Sequence, residues 1–185
     1  SNIVVIASAC GAAAAPIPLL ETILANKTLT SAGLQPPAKG PNVFATGSAS
    51  RSLHDIPWGR HARWMTLHDA SAGRLALHSL AGANIRPGVN VAGEPRDSIS
   101  LAPDSLIAEA ETSAAPVSMM LAGAMLRSAQ MAGALNRLTE LSADYANERI
   151  QFGRPIGKFQ AVQQQLALLA LSLIHISEPT RRRGI

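Results

Sequence analysis

Apolar residues recur at three- and four-residue steps along the C-terminal third of the chain. Leu121, Ala124, Ser128, Met131, Leu135, Leu138, Leu141 and Tyr145 form one such series. That period predicts a single helix from Pro116 to Glu148 with this series as its buried stripe. About 33 residues rising 1.5 Å each span roughly 50 Å, a length suited to a bundle or an oligomer. Small residues along it, among them Gly123, Ala132 and Gly133, permit close approach of neighbouring helices. Gly153, Pro155 and Gly157 interrupt the pattern, and Phe159–Ala170 resumes it with Val162, Leu166 and Leu169 aligned. At the other end, Ile3–Ala15 reads as a buried Ala-rich helix. It is halted by Pro16 and Pro18, each of which removes a backbone donor and restricts the residue before it. Leu19–Leu29 reads as a second helix with Leu20, Ile23 and Leu24 on one side. Residues 31–41 are rich in Gly and Pro and read as a linker. Between residues 42 and 112 the period shortens to two. Asn42–Thr46, Trp64–His68, Arg74–Ser79 and Ser98–Leu101 read as half-buried strands separated by turn formers. The fold class that follows is α+β: helices, a small antiparallel β module, then helices again.

Composition narrows the function. The chain has 185 residues, 47% apolar and 15% charged, which excludes disorder over its whole length. The formal net charge is +4, but three arginines lie in the last five residues. Without residues 171–185 there are 13 basic and 11 acidic side chains, so no basic surface argues for nucleic acid. Asn2–Leu20 carries no charge, yet Gly11, Pro16, Pro18 and its many alanines argue against a membrane span. No basic segment precedes it to make a signal peptide. The expected location is therefore cytoplasmic, with no membrane partner. The chain starts with Ser and not Met, as a processed or incomplete product would. The single cysteine, Cys10, excludes an internal disulfide and reads as an inert core residue. His54, His61 and His68 are spaced by seven, but Pro57 and Gly59 break any helix that would align them, so no metal site is expected. There is no G-x-S-x-G, no P-loop and no G-x-G-x-x-G.

The most distinctive stretch is YANERIQFGRPIGKFQAVQ, Tyr145 to Gln163, at the junction of the two C-terminal helices. Arg149 offers paired donors that suit phosphate oxygens. Gln151 offers an amide, Phe152 an aromatic face, and Gly153 a sharp turn. On spacing alone another reading stands beside this one: Arg149 pairs with an acid and Phe152 plugs the helix corner.

The stretch resembles the acyl-CoA dehydrogenase family, whose pattern Y-A-x-x-R-x-Q-F-G-x-P-I-x-x-F-Q-A-V-Q it matches. APIPLLET (15–22), IPWGRHA (56–62) and VAGEPRD (91–97) are similar to upstream parts of its divergent bacterial members. The resemblance implies residues 1–36 as the end of an N-terminal helical domain, 37–113 as a β middle domain and 114–170 as the start of a C-terminal helical domain. It implies FAD as cofactor, with Arg149, Gln151 and Phe152 contacting the FAD of a neighbouring subunit, hence a homo- or hetero-oligomer. Trp58 falls near the segment that walls the flavin ring in the family, although a tryptophan in a turn is also a common core anchor. The implied reaction is α,β-desaturation of an acyl-CoA thioester, with electrons passing to an electron-transferring flavoprotein. The family's T-E-P-x-x-G-S-D loop has no counterpart here. The catalytic base is likewise unassigned. Most members carry it beyond the part matched here, and others carry it at positions matching Leu121–Arg127, which hold no carboxylate. A non-catalytic partner subunit is therefore the alternative. Finally, LSLIHISEPTR (171–181) resembles translated adapter sequence from DNA library preparation, so 171–185 is expected to be a non-native tail.

Overall fold

The computed structural model describes the backbone of residues 2–112 and 116–177. The expected boundary at 113/114 and the end of the tail, 178–185, lie outside the described residues. Two compact units form, residues 16–123 and residues 1–15 with 124–185.

The unit of residues 16–123 opens with α2, Leu19–Ser31, which follows α1 (Asn2–Ala12) in the chain. Strands β1 (Asn42–Thr46), β3 (Trp64–Asp69), β4 (Arg74–Ser79) and β7 (Leu106–Glu111) make a four-stranded sheet in the order β1-β3-β4-β7. Strands β2 (Leu53–Pro57), β6 (Arg96–Ser100) and β5 (Asn84–Arg86) make a second sheet in the order β2-β6-β5. The pairings are antiparallel except β1–β3, which is parallel because the chain visits the second sheet between them. The module is thus antiparallel with one parallel pair.

Its core explains why half-buried strands were too simple an expectation. Val43, Ala45, Met65 and Leu67 point to one face and pack with Leu53, Ile56, Trp58 and Ile99 of the second sheet's segments. The opposite face carries Phe44, Trp64, Leu75 and Leu77, which pack with Leu29 of α2. The central strands are therefore covered on both sides, and their polar residues are buried as well. Asn42 donates from Nδ2 to Asn26 Oδ1 (2.9 Å) and to Thr66 Oγ1 (2.9 Å), and its backbone N–H donates to Thr22 Oγ1 (3.2 Å). Such satisfied pairs keep the cost of polar burial small.

In the other unit, α3 (Pro116–Glu148) continues from residue 124 alongside α1, and α4 (Gln160–Ser177) follows it. Close approach sets this packing: a Cβ on Gly11 would overlap the Gln130 carbonyl oxygen, and one on Gly133 would overlap the Ser8 carbonyl oxygen. Only Ala7 and Gly11 of α1 are buried, so it is not the wholly buried helix expected, and Cys10 is half-buried. On α3 the expected stripe is not the buried one. Met131, Leu138, Leu141 and Tyr145 are exposed, whereas Leu126, Gly133 and Ala146 are buried. Helix α4 runs on to Ser177, past the expected end at Ala170, because Leu173 extends the Val162, Leu166, Leu169 series and is buried.

Candidate functional site

Helix α3 ends at Glu148, and the Arg149 N–H still donates to the Tyr145 carbonyl at 2.9 Å, closing the last turn. The chain then folds into a two-residue hairpin: β8 (Ile150–Gln151) pairs antiparallel with β9 (Arg154–Pro155), Ile150 opposite Pro155 and Gln151 opposite Arg154. The Ile156 N–H donates to the Arg149 carbonyl at 2.8 Å and secures the base. Phe152 and Gly153 form the tip with φ of 52° and 78°. Positive φ at both central residues is the turn that matches the twist of a tight hairpin. Glycine meets that demand without strain, while phenylalanine does not.

The Phe152 side chain is 91% exposed, so it does not plug the helix corner. Phe159 takes that place: it meets the Phe152 ring edge-to-face at 6.1 Å, and the Arg154 guanidinium lies 4.3 Å over its centroid. Gln163 Nε2 donates to the Gly157 carbonyl at 2.9 Å and holds the start of α4. Arg149 and Gln151 are exposed beside the tip, and among the described residues no carboxylate pairs with Arg149. The hairpin therefore brings together a free guanidinium, an amide and an open aromatic face. These groups suit the phosphate, polar and ring parts of a dinucleotide.

Trp58 belongs to the other unit. The residue is 9% exposed and part of the β core, and its backbone is left-handed at φ 59°. It opens a short turn, Gly59–His61, where a Cβ on Gly59 would press on Ile99 and Asp97. Here the structure adds what sequence reasoning missed. Asp97 is fully buried and accepts from the Arg60 backbone N–H (2.7 Å), Arg60 Nη2 (2.6 Å), Arg60 Nε (3.0 Å) and the Gly88 N–H (3.1 Å). Arg60 Nη2 also donates to the Gly88 carbonyl. Burial works against the Asp97 carboxylate, but the bonds from Arg60 and Gly88 outweigh it and hold its pKa below the ordinary value. The clamp joins IPWGRHA to VAGEPRD. Its signal was the inward position of Asp97, which shares a strand face with Ile99 and so had to find a cation. His78 is buried with Nδ1 3.0 Å from Ser105 Oγ, and burial lowers its pKa. Among the described residues no group of His, Cys, Asp and Glu could hold a metal ion, and no helix is long and apolar enough to cross a membrane.

The family model "Acyl-CoA dehydrogenase, C-terminal domain" matches residues 115–176, a span that includes the whole hairpin. The acyl-CoA dehydrogenase IpdE2 of Mycobacterium tuberculosis is 31% identical over 172 residues, which are 88% of this chain and 49% of that protein. The chain belongs to the acyl-CoA dehydrogenase family. It spans about half the length of that curated relative. The crystal structure of the ChsE4-ChsE5 complex from Mycobacterium tuberculosis shares the fold with a TM-score of 0.71 at 20% identity, over 96% of this chain and 61% of that one. An acyl-CoA dehydrogenase complexed with FAD from Bacillus anthracis gives 0.55 at 19% identity, over 76% and 27% of the two chains. The α+β architecture is thus that of acyl-CoA dehydrogenases.

Proposed function

We propose that this chain is part of an FAD-dependent acyl-CoA dehydrogenase that desaturates an acyl-CoA thioester between its α and β carbons. The observation that carries this reading is the Arg149–Gly153 hairpin. It is braced by Phe159 and Arg154, yet it leaves the Phe152 ring largely exposed and Arg149 without a carboxylate partner among the described residues. The bound flavin would supply the acceptor for the β-hydride. This chain's residues would bind and orient: Arg149 holds pyrophosphate oxygens as a fork, Gln151 hydrogen-bonds beside them, and Phe152 covers adenine or ribose. As the family resemblance implies, the dinucleotide would belong mainly to a neighbouring subunit. Trp58 serves this reading through the turn it anchors, since the residue is buried.

No carboxylate of the chain is assigned to α-proton removal. Electrons would leave to an electron-transferring flavoprotein, in the cytoplasm. The domain organisation follows the sequence division at 36/37, 113/114 and 170/171.

A second reading has its own support. Leu121–Arg127 carries no carboxylate, and one structure of the same fold is a complex of two different proteins, ChsE4 and ChsE5. The chain would then belong to a non-catalytic subunit of a hetero-oligomer that keeps the adenosine arm. Purifying the full-length parent protein tests both. Yellow protein that alone desaturates acyl-CoA with an artificial electron acceptor supports the enzyme. Flavin and turnover that emerge only with a second protein support the partner subunit. Colourless, inactive protein in both preparations contradicts both.

A further inference from the structure

The outer face of the β2-β6-β5 sheet carries a second, separate constellation. Its inner face is apolar, with Leu53, Ile56, Ile85 and Ile99 in or against the core. The pairing of Leu53 with Ile99, Arg86 with Ser98 and Asn84 with Ser100 sets what stands outside. One row across the three strands is His54, Ser98 and Arg86; the next is Ser52, Ser100 and Asn84. A cavity of about 280 Å³ is lined by these six residues. All are polar, one carries a guanidinium, and none is a carboxylate.

Two features set this face apart from an ordinary solvated sheet. Strand β2 is bulged between Leu53 and Ile56, so that His54 and Asp55 both lie outside, and Asp55 takes a left-handed φ of 56°. Bulges of this kind re-aim a side chain. Here His54 faces Ser98, with Nδ1 3.0 Å from Ser98 Oγ, while Asp55 stays off the cavity. The three serines are short where longer side chains would cover the surface, and this leaves a trough between His54, Asn84 and Arg86. Neighbouring strands lie about 4.8 Å apart and the two rows about 6.7 Å apart, so Ser98 and Ser100 form the floor of the trough between His54 on one outer strand and Asn84 and Arg86 on the other, about 10 Å across. Among the described residues no carboxylate pairs with Arg86. A larger cleft beside it shares Ser52 and His54 and is lined also by Arg51.

We propose that this trough is a binding site for a phosphate group, with Arg86 as the charge partner and the serines, Asn84 and His54 as the surrounding donors. Its source is either free phosphate or a phosphomonoester on a small molecule, and the cleft at Arg51 would receive the rest of such a molecule. The site stands independently of the flavin reading, since it uses no residue of the hairpin.

The test titrates the 185-residue chain with inorganic phosphate, AMP and adenosine in a chloride buffer, following the His54 ring signals by NMR. Arg86→Gln and Arg74→Gln are compared with the parent, Arg74 being a surface arginine paired with Glu109 on the other sheet. Saturable phosphate binding that weakens at least tenfold in Arg86→Gln and is unchanged in Arg74→Gln supports the site. Equal affinity for phosphate and AMP makes free phosphate sufficient, and tenfold tighter AMP binding with the same Arg86 dependence makes a phosphomonoester the source. Lack of saturation by both anions, equal effects of the two arginine variants, or adenosine binding as tightly as AMP overturns it.

Discussion

Phe152 holds a backbone conformation that an L side chain resists, at the tip of the hairpin and almost wholly exposed. A left-handed residue costs about 1–2 kcal/mol, and folding alone would favour Asn-Gly at this turn. Phe152→Asn should therefore raise stability by about 0.5–1 kcal/mol while lowering flavin content, measured by urea unfolding of the chain and by absorbance of the full-length parent. A loss of both would mean that the ring serves folding. At Asp97 the balance runs the other way. Arg60→Ala strands a buried carboxylate and should cost about 3 kcal/mol, read from the urea midpoint at pH 7. Because the folded pKa of Asp97 is depressed, its stabilisation is present above about pH 4 and is lost as pH falls through the folded value. His78 has the opposite charge sense. Its folded pKa is lowered, so the unfolded chain takes up the proton first, and stability declines as pH drops below about 6.5. His78→Gln should flatten the difference in urea midpoint between pH 7.5 and pH 5.5. Arg149, Gln151, Phe152 and Gly153 stood out in the sequence because they fall within five consecutive positions. The Arg60–Asp97 clamp did not, because its halves lie 37 positions apart and meet only through strand pairing.

At the scale of elements, α1 and α3 meet through glycines. Gly133→Ala drives a Cβ into the Ser8 carbonyl and should destabilise by about 1–3 kcal/mol. Gly123→Ala on the same helix meets nothing closer than Leu24 Cδ2 at 3.9 Å and should stabilise by about 0.5–1 kcal/mol. Thermal unfolding of the two variants should thus move in opposite directions, and shifts of the same sign would refute the packing. The long helix was legible to its bounds, Pro116–Glu148, because Pro starts it and the 3.6 period persists. β1 and β4 were equally legible as short alternating runs. β2, β5 and β7 were not: β2 is bulged, β5 has three residues, and β7 is an edge strand with Leu106 and Ile107 exposed. Burial on α3 was misread because periodicity reveals an apolar stripe without saying what covers it. The stripe through Met131, Leu138, Leu141 and Tyr145 is exposed, and the small residues are what the rest of the unit packs against.

At the scale of the molecule, the exposed hairpin tip bears directly on the proposal that another subunit completes the cofactor site. Arg149 is where that proposal is most exposed to test. Losing a charge-assisted hydrogen bond to phosphate costs about 1.5–3 kcal/mol, or about ten- to a hundredfold in affinity. Lysine replaces the charge without the fork and should recover part of it. The decisive measurement is FAD content beside oligomeric state in the full-length parent protein, purified as the parent, Arg149→Ala and Arg149→Lys. An oligomer that stays assembled but loses flavin in Arg149→Ala, with partial recovery in Arg149→Lys, is the predicted result. Full flavin retention by an intact Arg149→Ala oligomer at low FAD concentration would contradict the assignment.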